Sequence, residues 1–237
     1  MLNKELLCST LEGLGLSVDS EAFLRLDRYA ELLVETNKSF NLTAITDTEG
    51  VTIKHFADCI SLFSAVDFKE NAKVIDVGTG AGFPGLVLKL VRPDLQVAFL
   101  DGTKKKLGFI ESVLNELSLE GEILHLRAEE ASRLQKYREQ FDFATARAVA
   151  ALPVLCEYCL PFVKVGGKFI SMKSADSDAE IAAAAGAIKL LGGQIEKDTE
   201  FNLTEDMPRR IITVKKISQT PTKYPRASAQ ISKKPLK

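Results

Sequence analysis

The chain is poor in the residues that metal and redox chemistry use. Its 237 residues include four cysteines and two histidines. That is too few for a disulfide-stapled scaffold, and Cys8, Cys59, Cys156 and Cys159 are read as reduced thiols. Cys156-Glu-Tyr-Cys159 has the spacing of half a zinc site. The other two cysteines stand alone and the pair lies in an apolar stretch between Pro153 and Pro161, so these are read as small core residues and no metal is expected. Long apolar runs are missing too: charge or proline breaks each well short of the ~20 residues a membrane span needs. No apolar stretch precedes Leu6-Leu7-Cys8, and the expectation is a cytoplasmic protein with no export signal and no membrane partner. Acidic residues are absent after Asp206. The nine basic residues from Arg209 to Lys237 leave a net −10 on residues 1–206 within the chain's total of −1. An acidic body with a basic tail suggests a polyanionic partner, and a merely solubilising tail is the plainer alternative.

What is present is enough apolar material, 46% of the residues, to bury a core of ordinary size. Residues 1–66 read as a helical cap: Leu2, Leu6 and Leu7 open one amphipathic segment, and apolar residues from Phe23 to Leu33 keep a helical spacing, with Asp19 or Ser20 as N-cap. From Ala72 strands and helices alternate. Strands are expected at 73–77, 97–101, 122–126, 142–146, 167–172, 194–201 and 210–217, and helices at about 83–91, 103–118, 129–137, 150–160 and 178–191. The first five strands come with crossover helices and should be parallel. The connection from Asn202 to Pro208 is too short for a crossover, so the last two should pair antiparallel. The fold class is therefore α/β, a Rossmann-like sheet of seven strands with an antiparallel last strand, over residues 67–218. Residues 219–237, rich in Pro, Ser, Thr and Lys, read as a flexible basic tail.

One stretch carries most of the chemistry. The buried-strand pattern Val74-Ile-Asp-Val77 runs into Gly78-Thr-Gly-Ala-Gly-Phe-Pro-Gly85, and a second strand ends at Asp101. Glycines let the backbone turn sharply and clear space for a ligand, and an acid at the next strand tip can accept from a ribose diol. Gly80, Gly82 and Gly85 satisfy the dinucleotide spacing G-x-G-x-x-G. A pyrophosphate, however, wants free amides, and Pro84 has none. A nucleoside cofactor with a charged aminoacyl tail, S-adenosylmethionine, would use Asp76 and the glycine backbone instead. The antiparallel last strand also argues for the methyltransferase variant of the fold over the NAD variant.

Beyond the glycine turn, the segments Phe40-Asn-Leu-Thr-Ala44, His55-Phe-Ala-Asp-Cys59, Arg127-Ala-Glu-Glu130, Arg147-Ala148, Gly166-Gly167 leading to Lys173, and Thr220-Pro-Thr-Lys-Tyr-Pro-Arg226 together resemble the small-subunit ribosomal RNA methyltransferase G family, also called glucose-inhibited division protein B. The resemblance spans about Leu33 to Arg226. It implies S-adenosylmethionine-dependent methylation of guanine N7 in the decoding-region loop of 16S ribosomal RNA, with the RNA or a small-subunit particle as partner; a monomer is expected. It also implies donor contacts from Asp76, Gly78, Gly80, Phe83, Asp101, Ala128, Glu129 and Arg147, and guanosine-side contacts from Asn41, His55, Arg127, Arg147, Lys173 and Arg209.

On the residues alone, several of these readings stay open. Arg147 ends the fourth strand, where open parallel sheets bind ligands, and is read as a cofactor or substrate contact, with a surface ion pair as the plainer alternative. His55 could stack on a base, contact phosphate or pack within the cap; Asn41 could be a turn residue. His125 is core or edge, and Lys104-Lys-Lys106 a solvated face or a phosphate contact. Two rival functions remain: an NAD-dependent oxidoreductase, which would need a parallel sixth strand, and a non-catalytic RNA-binding or assembly protein.

Overall fold

The computed structural model describes residues 1–236; Lys237, counted in the basic tail, lies outside the described residues. All seven expected strands form: β1 (Lys73–Val77), β2 (Gln96–Asp101), β3 (Glu122–His125), β4 (Phe141–Arg147), β5 (Val163–Ser174), β6 (Gly193–Asn202) and β7 (Pro208–Lys216). They make one sheet in the order β3-β2-β1-β4-β5-β7-β6. Strands β1 to β5 pair in parallel, and β7 runs antiparallel to both its neighbours. β1 is central because Val74 to Val77 are all buried, as a strand covered on both faces requires. β7 takes the place inside β6 for a related reason. Ile211, Ile212, Thr213 and Val214 are buried, whereas β6 carries Glu196, Lys197, Asp198 and Glu200 and stays at the edge, where charge discourages further pairing.

Helices cover both faces. In the cap, Asn3 caps α1 (Lys4–Glu12) and Asp19 caps α2 (Ser20–Asn37), accepting from Ala22 N at 2.7 Å. A continuous helical stretch follows: α3 (Thr48–Gly50), a π-helical segment Val51–Ala57, α4 (Asp58–Ile60) and α5 (Leu62–Ala65). Leu26, Tyr29 and Leu33 of α2 share one core with Leu86 and Leu90 of α6 (Gly85–Val91) and Ile110 of α7 (Lys104–Glu116). The helices of residues 1–66 are thus a layer of this core. On the other face α8 (Ala128–Ala131), α9 (Leu152–Cys159) and α10 (Asp178–Leu190) lie over a second core that includes Ile75, Ala144 and Ile212. Cys156 and Cys159 are buried there, and burial pushes both thiols up. No helix among the described residues is long and apolar enough to cross a membrane.

Two expectations change. The helix expected at 129–137 stops at Ala131, after which Arg133 and Arg138 turn to donate to backbone carbonyls of Pro225, Tyr224 and Thr220. The segment after Ser218, expected to be flexible, packs against the body and ends in α11 (Ser228–Lys233). Thr220, Tyr224 and Ile231 are buried, and Arg226 pairs with Glu157 at 2.7 Å. Composition hid this because the partners of the segment lie some 70 to 90 residues away in the chain.

Candidate active site

The strand order reverses between β1 and β4, and the crevice outside their carboxyl ends is where such sheets bind ligands. A cleft of about 440 Å³ lies there, within the range of small-molecule sites. Its floor is the glycine turn. Gly78 and Gly80 have φ of +71° and +60°, and Gly80 N donates to Asp101 Oδ2 at 3.0 Å. Asp101 Oδ1 accepts from Thr103 N, so the carboxylate is fixed at the tip of β2 with lone pairs still facing the cleft. Leu100, Leu126 and Ala128 offer an apolar wall beside Glu129.

Asp76 is fully buried and lies behind this floor, away from the cleft. Its carboxylate accepts from Gly85 N and Thr145 Oγ1, both at 2.9 Å. Burial pushes its pKa up against the pull of those hydrogen bonds. Asp76 therefore ties the start of α6 to β1 and β4 and shapes the turn from behind the cleft floor. This arrangement also decides against a dinucleotide. The amides of Phe83, Gly85 and Leu86 are taken by Thr79 O, Asp76 and Gly82 O, and Pro84 has none, so these four positions offer a pyrophosphate no donor. An open glycine backbone, a diol acceptor and an apolar wall fit a nucleoside with an aminoacyl tail.

The other side of the cleft is built by the cap. Arg147, at the end of β4, is followed by Ala148 at φ +55°, a strained turn for a residue with a side chain. Its Nη1 donates to Lys54 O at 2.9 Å and to Asp58 Oδ2 at 3.0 Å. Asp58 is itself buried, and its second oxygen accepts from Arg209 Nε at 2.8 Å. One carboxylate thus holds two guanidinium groups at the seam between cap, β4 and β7. Arg147 Nη2 meets His55 Nδ1 at 3.2 Å, and His55 Nε2 lies 2.7 Å from Thr43 Oγ1. Arginine can only donate, so Nδ1 is the acceptor and the ring proton sits on Nε2. Burial, then the Arg147 charge, lowers the His55 pKa to about 4. The imidazole stacks on Phe83 with ring centroids 4.5 Å apart, and Arg147 lies over the same ring.

The cleft therefore collects Gly78, Gly80, Phe83, Asp101, Arg127, Ala128, Glu129, Arg147 and His55 from the sequence-derived candidates. Four stand apart. Asp76 lies behind the turn; Asn41 is exposed beside the cleft residues Leu42 and Thr43. Lys173 is bound to Ala150 O and Glu180, and Arg209 reaches Arg147 only through Asp58. His125 is at the sheet edge, and of Lys104–Lys106 only Lys106 lines the cleft. Sequence reasoning passed over Asp58, Thr43 and Tyr158. Asp58 had a signal, since it follows His55 by three residues in one helical stretch, whereas Tyr158 had none.

A family profile described as rRNA small subunit methyltransferase G matches residues 23–210. The protein of that name from Acetivibrio thermocellus is 47% identical over 98% of this chain and 96% of its own length. The one from Alkaliphilus metalliredigens is 45% identical over the whole of both chains. Among solved structures, a SAM-dependent O-methyltransferase from Thermotoga maritima is similar in fold, with a TM-score of 0.53 at 16% identity, covering 80% of this chain and 72% of its own. The chain belongs to the rRNA small subunit methyltransferase G family.

Proposed function

We propose that this enzyme methylates N7 of a guanine in the decoding-region loop of 16S ribosomal RNA, free or within a small-subunit particle, with S-adenosylmethionine as donor. It would act as a cytoplasmic monomer. The donor, when bound, supplies an electrophilic methyl group. In this reading Asp101 accepts from the ribose diol, the Gly78–Gly80 backbone leaves room for the aminoacyl tail, and Ala128 and Glu129 face the adenine.

The observation that carries the reading is the state of His55. Both its ring nitrogens are engaged, by Arg147 and by Thr43, and its low pKa makes it a poor proton acceptor. A reaction that needs a general base would find none there. Guanine N7 has an in-plane lone pair and no proton, so the task of the side chains is orientation, which can be worth about 7–11 kcal/mol. Arg147 keeps its Nε–H and one Nη2–H for a ligand. These suit guanine O6 or a neighbouring phosphate, since a donor on N7 would block the nucleophile. Arg127, with its side chain 63% exposed, would meet phosphate at the mouth.

The test is transfer of labelled methyl from S-adenosylmethionine to 16S ribosomal RNA and to 30S particles, with the product nucleoside identified by mass spectrometry. N7-methylguanosine is expected. Methyl transfer to another atom would overturn the N7 assignment. Ribosomal RNA binding with no affinity for S-adenosylhomocysteine would make the chain an assembly factor, and calorimetric binding of NAD would favour an oxidoreductase.

A further inference from the structure

The segment Thr220–Arg226 has no part in the chemistry above, yet nearly all of it is engaged. Thr220 N donates to Glu139 Oε1 at 2.7 Å, and Thr220 Oγ1 accepts from the buried Lys216 Nζ at 2.7 Å. Carbonyls of Thr220, Tyr224 and Pro225 accept from Arg138 and Arg133. Arg226 then grips Glu157 of α9: its backbone N and Nε reach Oε1 at 2.7 and 3.0 Å, and Nη2 reaches Oε2 at 2.7 Å. Glu157 is fully buried, so this carboxylate depends on Arg226. The next residue, Tyr158, is the single contribution of α9 to the wall of the cleft, and its hydroxyl lies 3.3 Å from Ser228 Oγ in the same C-terminal segment. Glu180 fixes the other end of α9 by accepting from Leu152 N at 2.9 Å.

We propose that Arg226 is a positioning residue for the donor cleft, holding α9 through Glu157 so that Tyr158 closes the cleft wall. The proposal rests on the reading that this cleft takes the donor. A charge left unpaired in the core draws its helix toward water. Because Glu157 and Tyr158 are adjacent, any turn of α9 that hydrates one moves the other. The C-terminal strap thus reaches the donor without touching it.

The experiment is a double-mutant cycle read by calorimetry with S-adenosylhomocysteine. Arg226→Gln should weaken binding roughly threefold to thirtyfold, and should add less than about twofold when Tyr158 is already Ala, because coupled residues are non-additive. Equal losses in the two backgrounds, or no loss, would overturn the proposal even if Arg226→Gln lowered the melting temperature. Should Arg226→Gln not fold, Arg226→Lys keeps the charge and loses the fork; it should still weaken binding, and parental affinity would sink the idea. Tyr158→Trp adds a ligand-independent readout, since the chain has no tryptophan. In that background Arg226→Lys should raise acrylamide quenching, and unchanged quenching counts against the coupling. Parental protein that binds no S-adenosylhomocysteine would refute the cofactor reading, while quenching would still judge the strap.

Discussion

At the scale of single residues, one buried carboxylate beside the cleft is shared by two arginines. Asp58 neutralises one of two guanidinium charges and leaves the cluster of Arg147 and Arg209 with a net positive charge. Asp58→Asn removes the negative charge and one of the two acceptor oxygens, so at least one charge-assisted hydrogen bond, worth about 1.5–3 kcal/mol, is lost. Single-turnover methyl transfer should fall at least about tenfold, while S-adenosylhomocysteine affinity, set at the glycine turn, stays near parental. Asp101→Ala should do the reverse, weakening S-adenosylhomocysteine at least about tenfold by calorimetry because both a diol acceptor and the brace on Gly80 N are lost. His55 makes a pH prediction of definite sign. Its folded pKa, about 4, lies below the ordinary 6.5, so the unfolded chain binds the proton first. Its effect on stability is constant above about pH 6.5, and stability is lost as the pH falls from there toward about 4. Urea unfolding at pH 7 and pH 5 should show the parent losing about 2 kcal/mol more than His55→Gln. The transfer step itself should stay nearly flat between about pH 6.5 and 8.5, since no group of the site has to take a proton; one clear pKa in that window would contradict the base-free reading.

At the scale of the element, the glycine turn separates fold from ligand. Gly78 and Gly80 are both left-handed, but a Cβ on Gly78 would lie 2.7 Å from Val149 Cγ2, while one on Gly80 would meet nothing nearer than 4.0 Å. Each Ala substitution costs about 1–2 kcal/mol for the positive φ. Gly78→Ala adds a clash and should lower stability further in urea unfolding. Gly80→Ala should be the milder on stability and the harsher on S-adenosylhomocysteine binding, because its methyl points into open space on the ligand side; equal effects on both measurements would contradict this division. The π-helical segment Val51–Ala57 does related work on the cap side. It presents the Lys54 carbonyl and the His55 ring together to Arg147, as wide turns often do at functional sites.

At the scale of the whole molecule, the C-terminal strap closes the structure. Truncation after Ser218 would strip Lys216 of one hydrogen bond, to Thr220, and Glu157 of its partner Arg226; breaking a buried ion pair by removing one partner costs about 3–5 kcal/mol. The truncated chain should therefore unfold at markedly lower urea concentration. The expectation of a free phosphate-binding tail changes accordingly. Arg226 is committed to Glu157, and among the described residues of the tail Lys223, Lys233 and Lys234 remain exposed. Replacing those three by Ala in the full chain should make the log-affinity against log-salt slope for ribosomal RNA shallower by about 0.7 for each single-strand phosphate that is no longer neutralised. An unchanged slope would move the RNA surface to Lys104–Lys106 and Arg127.

Local pattern was sufficient for most of the elements, though not for the short α8 or for α11. The seven strands, the cap helices and the glycine turn were all legible because burial on one face or two imposes a period on the side chains, and because a turn of positive φ selects glycine. The short link between the last strands was likewise enough to make them antiparallel. Pattern was not sufficient for partners. Asp76 read as a ligand contact because it precedes the glycines, and only the fold turned its carboxylate inward onto Gly85 and Thr145. Lys173 and Arg209 were drawn into other pairings, Asp58 became the bridge between two arginines 89 and 151 residues distant, and a segment with the composition of a flexible tail became a strap. An ion pair depends on which atoms the chain brings within about 3 Å, and sequence spacing constrains that only within one helix or hairpin. Contacts between residues far apart in the chain are set by how the layers pack.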